Sequence, residues 1–373
     1  MVKHEKRYFV ALSVLIGSCI GAGVLGIPYV AAQAGFFVTL GYILLIGLII
    51  LVVNLYLGEI ILRTKGEHQL IGYVAKYLGK RTKHLMEFAL VFGVYAAMIA
   101  YMLGIGQSLS YLFFGNTNFE IYFGIIFGLI MGYLLFGGLK SLKKFEKIGV
   151  VIILGLLLVI VGVFLPEVVA SNLFGFNAAH IFLPFGVVLF ALLSFHSVPV
   201  VRLVLKRKGD KLKNILITGS IVSVVFYSLF AFVVVGVKGL ETPEVATLVL
   251  GPVFIFLGIF TMFTSYLAGG NALVESFQFD ERYSKKRSWF LASIIPIVLF
   301  LLTQLTDFFS FVTILSIGGV VSGGITAILI LLMVKKAKRH GNRKPEYSLK
   351  ASWWWMWLLA AIFIAGVLLE IFF

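Results

Sequence analysis

Residues 17–28 read Gly17-Ser18-Cys19-Ile20-Gly21-Ala22-Gly23-Val24-Leu25-Gly26-Ile27-Pro28. They lie inside an apolar segment running roughly from Tyr8 to Ala32. About 20 apolar residues suffice to cross a bilayer, so the segment is long enough to span. Glycine weakens a helix, and proline removes a donor and clashes with the preceding turn. In hydrocarbon, freed backbone groups persist only where protein or a water-filled cavity satisfies them. The stretch therefore reads as two half-helices around an unwound centre, with main chain facing a ligand, as in transporter sites. The alternative is a continuous helix whose glycines form a small-residue packing face.

Composition sets the frame. Hydrophobic residues make up 61% of the chain and charged residues 13%, against about 45–50% and about 25% in soluble domains. Mean hydropathy is +1.07. This is the profile of an all-α polytopic membrane protein with one membrane domain over residues 1–373. The single cysteine, Cys19, excludes an intrachain disulfide and a multi-cysteine metal site. Lys3, Lys6 and Arg7 precede the first span, which has no clear small-residue cleavage site and exceeds a signal-peptide core. It reads as a retained span.

Eleven transmembrane helices are predicted, at roughly 8–32, 37–62, 85–112, 119–138, 147–166, 180–205, 213–237, 248–277, 289–305, 307–334 and 352–373. Between the second and third, Leu70, Ile71, Val74, Tyr77 and Leu78 fall at helical spacing and predict a short amphipathic surface helix. With the N-terminus inside, every Lys and Arg except Lys238 falls at the N-terminus or in loops on that same side. The positive-inside rule then puts the N-terminus in the cytoplasm and the C-terminus outside. It also explains the net charge of +15 by topology and anionic lipid, with no nucleic-acid partner.

Span six contains a second mid-membrane interruption, Leu193-Ser194-Phe195-His196-Ser197-Val198-Pro199. Spans one and six head two sets of five. Because five is odd, the second set is inverted, giving a 5+5 inverted repeat (about 8–166 and 180–334) with one extra C-terminal helix (about 352–373). Interrupted segments at matching places in two halves point to a transporter site.

The residues Ile20-Gly21-Ala22-Gly23 through Pro28, followed by Gln33-Ala34-Gly35-Phe36, resemble the first helix of the amino acid/auxin permease group. Within it they look most like the hydroxy and aromatic amino acid permeases. Phe195-His196 with Pro199 resembles the group's broken sixth helix, and Thr264-Ser265-Tyr266-Leu267 through Glu275-Ser276-Phe277 its eighth. The resemblance covers nearly the whole chain. It implies the leucine-transporter-type fold with broken helices 1 and 6, and alternating access by rocking spans 1, 2, 6 and 7 against 3, 4, 8 and 9. It implies uptake of a neutral, aromatic or large apolar amino acid across the cell membrane, coupled to a cation. No cofactor is expected beyond that coupling ion, proton or sodium.

The resemblance also assigns residues. Ser18, Cys19, Gly21, Ala22 and Gly23 would present helix-one main chain to the substrate, and Phe195, His196 and Ser197 would do so from helix six. Gly21 and Gly23 let a ligand approach the backbone closely, so a side chain there is expected to cost binding before stability; helix packing is the alternative. Phe195 would pack over the substrate's side chain. Tyr101, preferred to Tyr95, would bring a hydroxyl near the carboxylate or else bond a neighbouring helix. His196 suits a proton carrier, or a neutral ring bonded to a freed carbonyl. In sodium-coupled members of the fold, the Gly17 and Ile20 carbonyls, Thr261, and the hydroxyls of Thr264 and Ser265 would form a cation site. Hydroxyls are also common glue between membrane helices. No lysine lies in the interior of span five to replace sodium.

Outside the resemblance, Glu59 and Arg63 stand at i,i+4 and form a gate or a structural ion pair ahead of a proton relay. Asn54 is expected to bond a neighbouring helix, and Asp307 and Glu275 to sit at span ends. Trp353, Trp354, Trp355 and Trp357 form an interfacial belt. An amino acid sensor on the same fold would bind without uptake. An enzyme lacks a nucleophile–base cluster within the spans, and a channel lacks a continuous polar path.

Overall fold

The structure is a computed structural model that describes residues 2–137, 139–206, 209–248, 251–306 and 309–372. Asp307 and the side chains of Lys3 and Lys6 lie outside the described residues. Among those described the chain is helical and has no strand.

The first span is a pair, α1 (Val2–Cys19) and α2 (Gly23–Ala34), bent by 48° at the break. Gly35, at φ 110°, turns the chain into α3 (Phe36–Leu62). A Cβ at Gly35 would sit 2.3 Å from the Gly175 carbonyl oxygen, so only glycine fits this turn. The amphipathic surface helix is α4 (Leu70–Leu78), which buries Leu70, Ile71, Tyr73, Val74 and Tyr77. Next come α5 (Lys80–Phe114), α6 (Glu120–Phe136) and α7 (Leu139–Phe164).

The sixth span is α8 (Pro184–Leu192) and α9 (Ser197–Leu205), with residues 193–196 unwound between them. Then follow α10 (Leu212–Lys238), α11 (Pro252–Glu275) and α12 (Lys285–Thr306). Span ten is α13 (Phe311–Gly318) and α14 (Gly324–His340), joined by a π-helical turn at Gly319–Gly323. The last helix is α15 (Trp353–Phe372).

Helices thus stand at all eleven expected places. Among the described residues eight are long and apolar enough to cross a membrane, and the bent α1–α2 pair makes a ninth. The apolar helices at the fourth and eleventh places, Glu120–Phe136 and Trp353–Leu368, are shorter. The core lies along α1, α2, α8, α9, α10 and α11, where Val24, Leu25, Val187, Phe226, Tyr227 and Leu267 are fully buried or nearly so. Lipid-facing surface is apolar instead: Leu48, Ile130, Leu158 and Phe290 are exposed. Trp353, Trp354, Trp355 and Trp357 are all exposed at the start of α15.

Candidate functional site

The two breaks meet at the centre of the bundle. In helix one the last bond of the inner half is Ile20 N–H to the Ile16 carbonyl, 2.8 Å. The outer half starts with Val24 N–H to Gly21 at 3.1 Å and Leu25 N–H to Ala22 at 2.9 Å. The carbonyls in between receive hydroxyls from other helices. Ser265 Oγ on α11 lies 2.9 Å from the Gly17 carbonyl and 3.1 Å from that of Ile20. Tyr227 OH on α10 lies 2.7 Å from the Cys19 carbonyl and 3.2 Å from that of Ala191, at the end of α8. Unwinding thus leaves acceptors exposed, and hydroxyls from two helices, α10 and α11, hold them in place.

The sixth-span break is held locally. Ser197 donates both its N–H (3.0 Å) and its hydroxyl (2.8 Å) to the Ser194 carbonyl. Asn54 Nδ2 on α3 donates to Ser194 Oγ at 2.9 Å, which is the interhelical bond expected of Asn54. Between the breaks, Ser18 Oγ and His196 Nε2 are 2.9 Å apart. Either tautomer of the ring makes this bond.

A cavity of about 80 Å³ opens at this junction. About 10–15 Å³ holds one water, so there is room for several. Seven of the nine expected substrate residues line it: Ser18, Cys19, Gly21, Ala22, Gly23, Tyr101 and His196. Ser265 and Tyr266 line it from α11. On its α4 side His196 is closed off by Gln69, Leu70, Leu90, Ala272 and Ser276, with no room for a water between them.

The other two expected residues lie elsewhere. Phe195 is buried in the core and does not line the cavity. Ser197 turns its hydroxyl back into its own break. An unwound segment has no period, so adjacent side chains point in unrelated directions, and of residues 193–196 it is Leu193 and His196 that line the cavity. Tyr95 donates to the Leu291 carbonyl on α12 at 2.7 Å, away from the cavity, whereas Tyr101 lines it.

The glycines need a correction. A Cβ at Gly23 would fall 2.2 Å from Ala191 Cβ and 2.7 Å from Ala191 Cα, so Gly23 lets α2 pack on α8. Added bulk there costs stability first, contrary to the sequence expectation. At Gly21 the neighbours are the hydroxyls of Ser265 and Tyr101, each 2.8 Å from the added carbon.

The expected cation ligands come together in part. Ser265 reaches both helix-one carbonyls, as above. Thr264 Oγ1 turns to its own helix, 3.1 Å from the Phe260 carbonyl and 3.0 Å from that of Thr261. Its methyl group packs where a Cβ on Gly149 would lie, at 2.4 Å. The Thr261 hydroxyl bonds the Gly258 carbonyl at 2.9 Å, leaving only its main-chain oxygen on this side of the cluster.

Glu59 and Arg63 are paired, Nε to Oε1 at 2.8 Å, with the Glu59 side chain fully buried. The sequence showed only this partner. The same oxygen also takes Lys338 Nζ at 2.7 Å and Ser348 Oγ at 2.8 Å, and Oε2 takes the Leu349 N–H at 2.9 Å. Glu275 accepts from Gln69 Nε2 at 3.2 Å.

Some lining residues carried no sequence signal. Leu90, Gly93, Val94, Ala97 and Met98 reach the cavity from α5, and Phe190, Gly269, Gly318 and Ser322 from α8, α11 and span ten. Tyr227 was one tyrosine among 15.

Comparison with known proteins agrees with this architecture. Glutamine transporter 2 of Aliivibrio fischeri is 26% identical over 240 residues, which cover 62% of this chain and 61% of that protein. Tyrosine-specific transport system 1 of Haemophilus influenzae is 28% identical over 221 residues, 57% of this chain and 54% of that one. The matches thus span less than two thirds of either relative. The crystal structure of MhsT in complex with L-phenylalanine aligns over 98% of this chain and 97% of its own, with a TM-score of 0.74 and 17% identity. That likeness shows the shared leucine-transporter-type fold. A model of the tryptophan/tyrosine permease family matches residues 4–242, about two thirds of the chain and including both breaks. The chain is a multi-pass membrane protein and belongs to the tryptophan/tyrosine permease family.

Proposed function

We propose that the chain is a secondary active transporter importing a neutral amino acid, aromatic or large and apolar, in symport with a proton. The observation that carries this reading is the meeting of two broken helices at one cavity. Helix N-termini at Gly23 and Ser197 bring positive dipole ends to it, and C-termini at Cys19 and Leu192 bring negative ones. That pairing suits the carboxylate and ammonium of a zwitterion. The rest of the lining is mostly apolar or small, with Leu90, Val94, Met98 and Phe190 beside Gly93, Ala97, Gly269 and Gly318. This supports a bulky apolar side chain. The named substrates of the relatives, glutamine and tyrosine, differ in polarity, and the lining favours the aromatic one. The N-terminus and basic loops face the cytoplasm, on the charge asymmetry of the loops.

His196 is the proposed proton carrier, because its ring borders the central cavity and its Nε2 lies 2.9 Å from Ser18 Oγ across the two breaks. One observation favours a second reading, sodium coupling. Ser265 Oγ gathers the Gly17 and Ile20 carbonyls, a set of hard oxygen donors, and Thr264 Oγ1 with the Thr261 carbonyl stands next to it on α11. The test is uptake of labelled tyrosine, phenylalanine, tryptophan and glutamine into proteoliposomes under imposed gradients. The expected result is aromatic uptake stimulated by external acid without sodium, and blunted in His196→Gln. Strict sodium dependence, lost in Thr264→Ala with Ser265→Ala, overturns the proton assignment. Binding without uptake under either gradient overturns transport in favour of a sensor.

A further inference from the structure

The end of α14 carries five basic side chains, Lys335, Lys336, Lys338, Arg339 and His340. Lys338 turns inward to Glu59 and to the Leu349 carbonyl. Lys335, Lys336 and Arg339 point the other way, into a cleft of about 450 Å³. The cleft lies between the α4–α5 junction, α14 and the first turn of α15, and no acidic residue lines it. Among the described residues none of these three cations has an ion pair. Lys335 Nζ sits 3.2 Å from the centre of the Trp353 ring. The remaining wall is apolar: Leu332 is 42% exposed and Trp353 54%, and Trp354 and Trp357 beside it are more exposed still.

We propose that this cleft binds the headgroup of an anionic phospholipid. Its phosphate lies against Lys335, Lys336 and Arg339, and its acyl chain lies along Leu332 and Trp353. Two features select lipid over a soluble anion. The cleft has a cationic end and an exposed apolar end, which match the two parts of a phospholipid. It also lies at the depth of the tryptophan belt, where aromatic rings mark the membrane–water boundary, and basic pockets between membrane helices hold such headgroups. The bound lipid would bridge α4, α14 and α15. This inference is independent of the transport reading.

The experiment is thermal unfolding and native mass spectrometry of the purified full chain in detergent with three probes: phosphatidylglycerol, phosphatidylcholine and inorganic phosphate. Phosphatidylglycerol is expected to raise the melting temperature and remain bound, while the other two do neither. Each cation removed (Lys335→Gln, Lys336→Gln, Arg339→Gln) should weaken phosphatidylglycerol binding about fivefold, and the triple variant about a hundredfold. Lys211→Gln with Lys213→Gln and Lys344→Gln removes the same charge elsewhere and should leave binding within about twofold of wild type. Equal stabilisation by phosphatidylcholine, matching stabilisation by phosphate alone, or equal loss in the control triple each overturns the proposal. If the site triple does not fold, the wild-type comparison decides, with Trp353→Ala expected to weaken lipid retention.

Discussion

Gly23 and Gly269 border the same cavity and differ in what an added side chain meets. At Gly23 it meets Ala191, carbon on carbon at 2.2 Å. Helix α2 must then move off α8, and overpacking of this kind costs about 1–3 kcal/mol. Gly23→Ala should therefore lower the melting temperature in detergent, and Ala191→Gly in the same chain should restore most of it. A double variant no better than Gly23→Ala alone would remove the packing account. At Gly269 the nearest facing atom among the described residues is Val94 Cγ1, at 3.6 Å. A side chain there fills cavity instead of displacing protein. Gly269→Val should keep the wild-type melting temperature and lose aromatic ligands by tenfold or more, roughly the cost of one or two misplaced methyl groups, while smaller amino acids bind as before. Uniform loss across a ligand panel would put Gly269 outside the side-chain subsite. The sequence marks both positions as glycine and distinguishes neither, because the difference lies on the facing helix.

At the scale of elements, the breaks were legible and their contents only partly so. Glycine and proline inside apolar segments announce where helices one and six unwind, since few other residue types interrupt a membrane helix at low cost. Charge asymmetry gave the loops, and helical spacing gave α4. Directions within the unwound stretch and at the helix start beside it were not legible, which is why Phe195 and Ser197 were expected in the cavity and are not there. The share contributed by span ten was also hidden. Gly318 and Ser322 stand four residues apart on one helix face across the π-helical turn at Gly319–Gly323 and line the cavity together, but nothing in the sequence shows which face of span ten turns inward. Tyr227 is the clearest omission. Its hydroxyl joins the end of α1 to the end of α8, yet nothing near it in the chain predicts that. Tyr227→Phe keeps the ring and removes the donor, leaving the Cys19 carbonyl without this partner in a buried setting. An unmade buried bond costs about 1–3 kcal/mol. The variant should melt lower and bind ligand more weakly, because both breaks lose a common brace. Wild-type melting and affinity together would show that the carbonyls find other donors.

For the molecule as a whole, Glu59 fixes how the last helix is attached. One fully buried carboxylate gathers Arg63 from the end of α3, Lys338 from α14, and Ser348 and Leu349 from the linker into α15. The sequence exposes only the contact four residues away. The others lie 279 to 290 residues further along, and no local pattern encodes them. The arrangement favours a structural clamp over a gate. A gating pair has to separate in each cycle, whereas this carboxylate has four partners to release at once. Glu59→Gln leaves two cations facing a neutral amide, and breaking a buried pair from one side costs about 3–5 kcal/mol. The expected result is a large drop in melting temperature and faster proteolysis of the linker between Gly341 and Ser352, with ligand affinity unchanged in the protein that remains folded. Adding Lys338→Met should recover part of the loss, since it removes one of the stranded charges. A gate predicts the reverse, with near wild-type melting and altered uptake rates. Because this carboxylate ties the linker into α15 to α3 and α14, together with Tyr347 OH on the Leu55 carbonyl and Tyr56 OH on the Lys350 carbonyl, the two outcomes also separate an eleventh helix fixed to the scaffold from one that moves with the transport cycle.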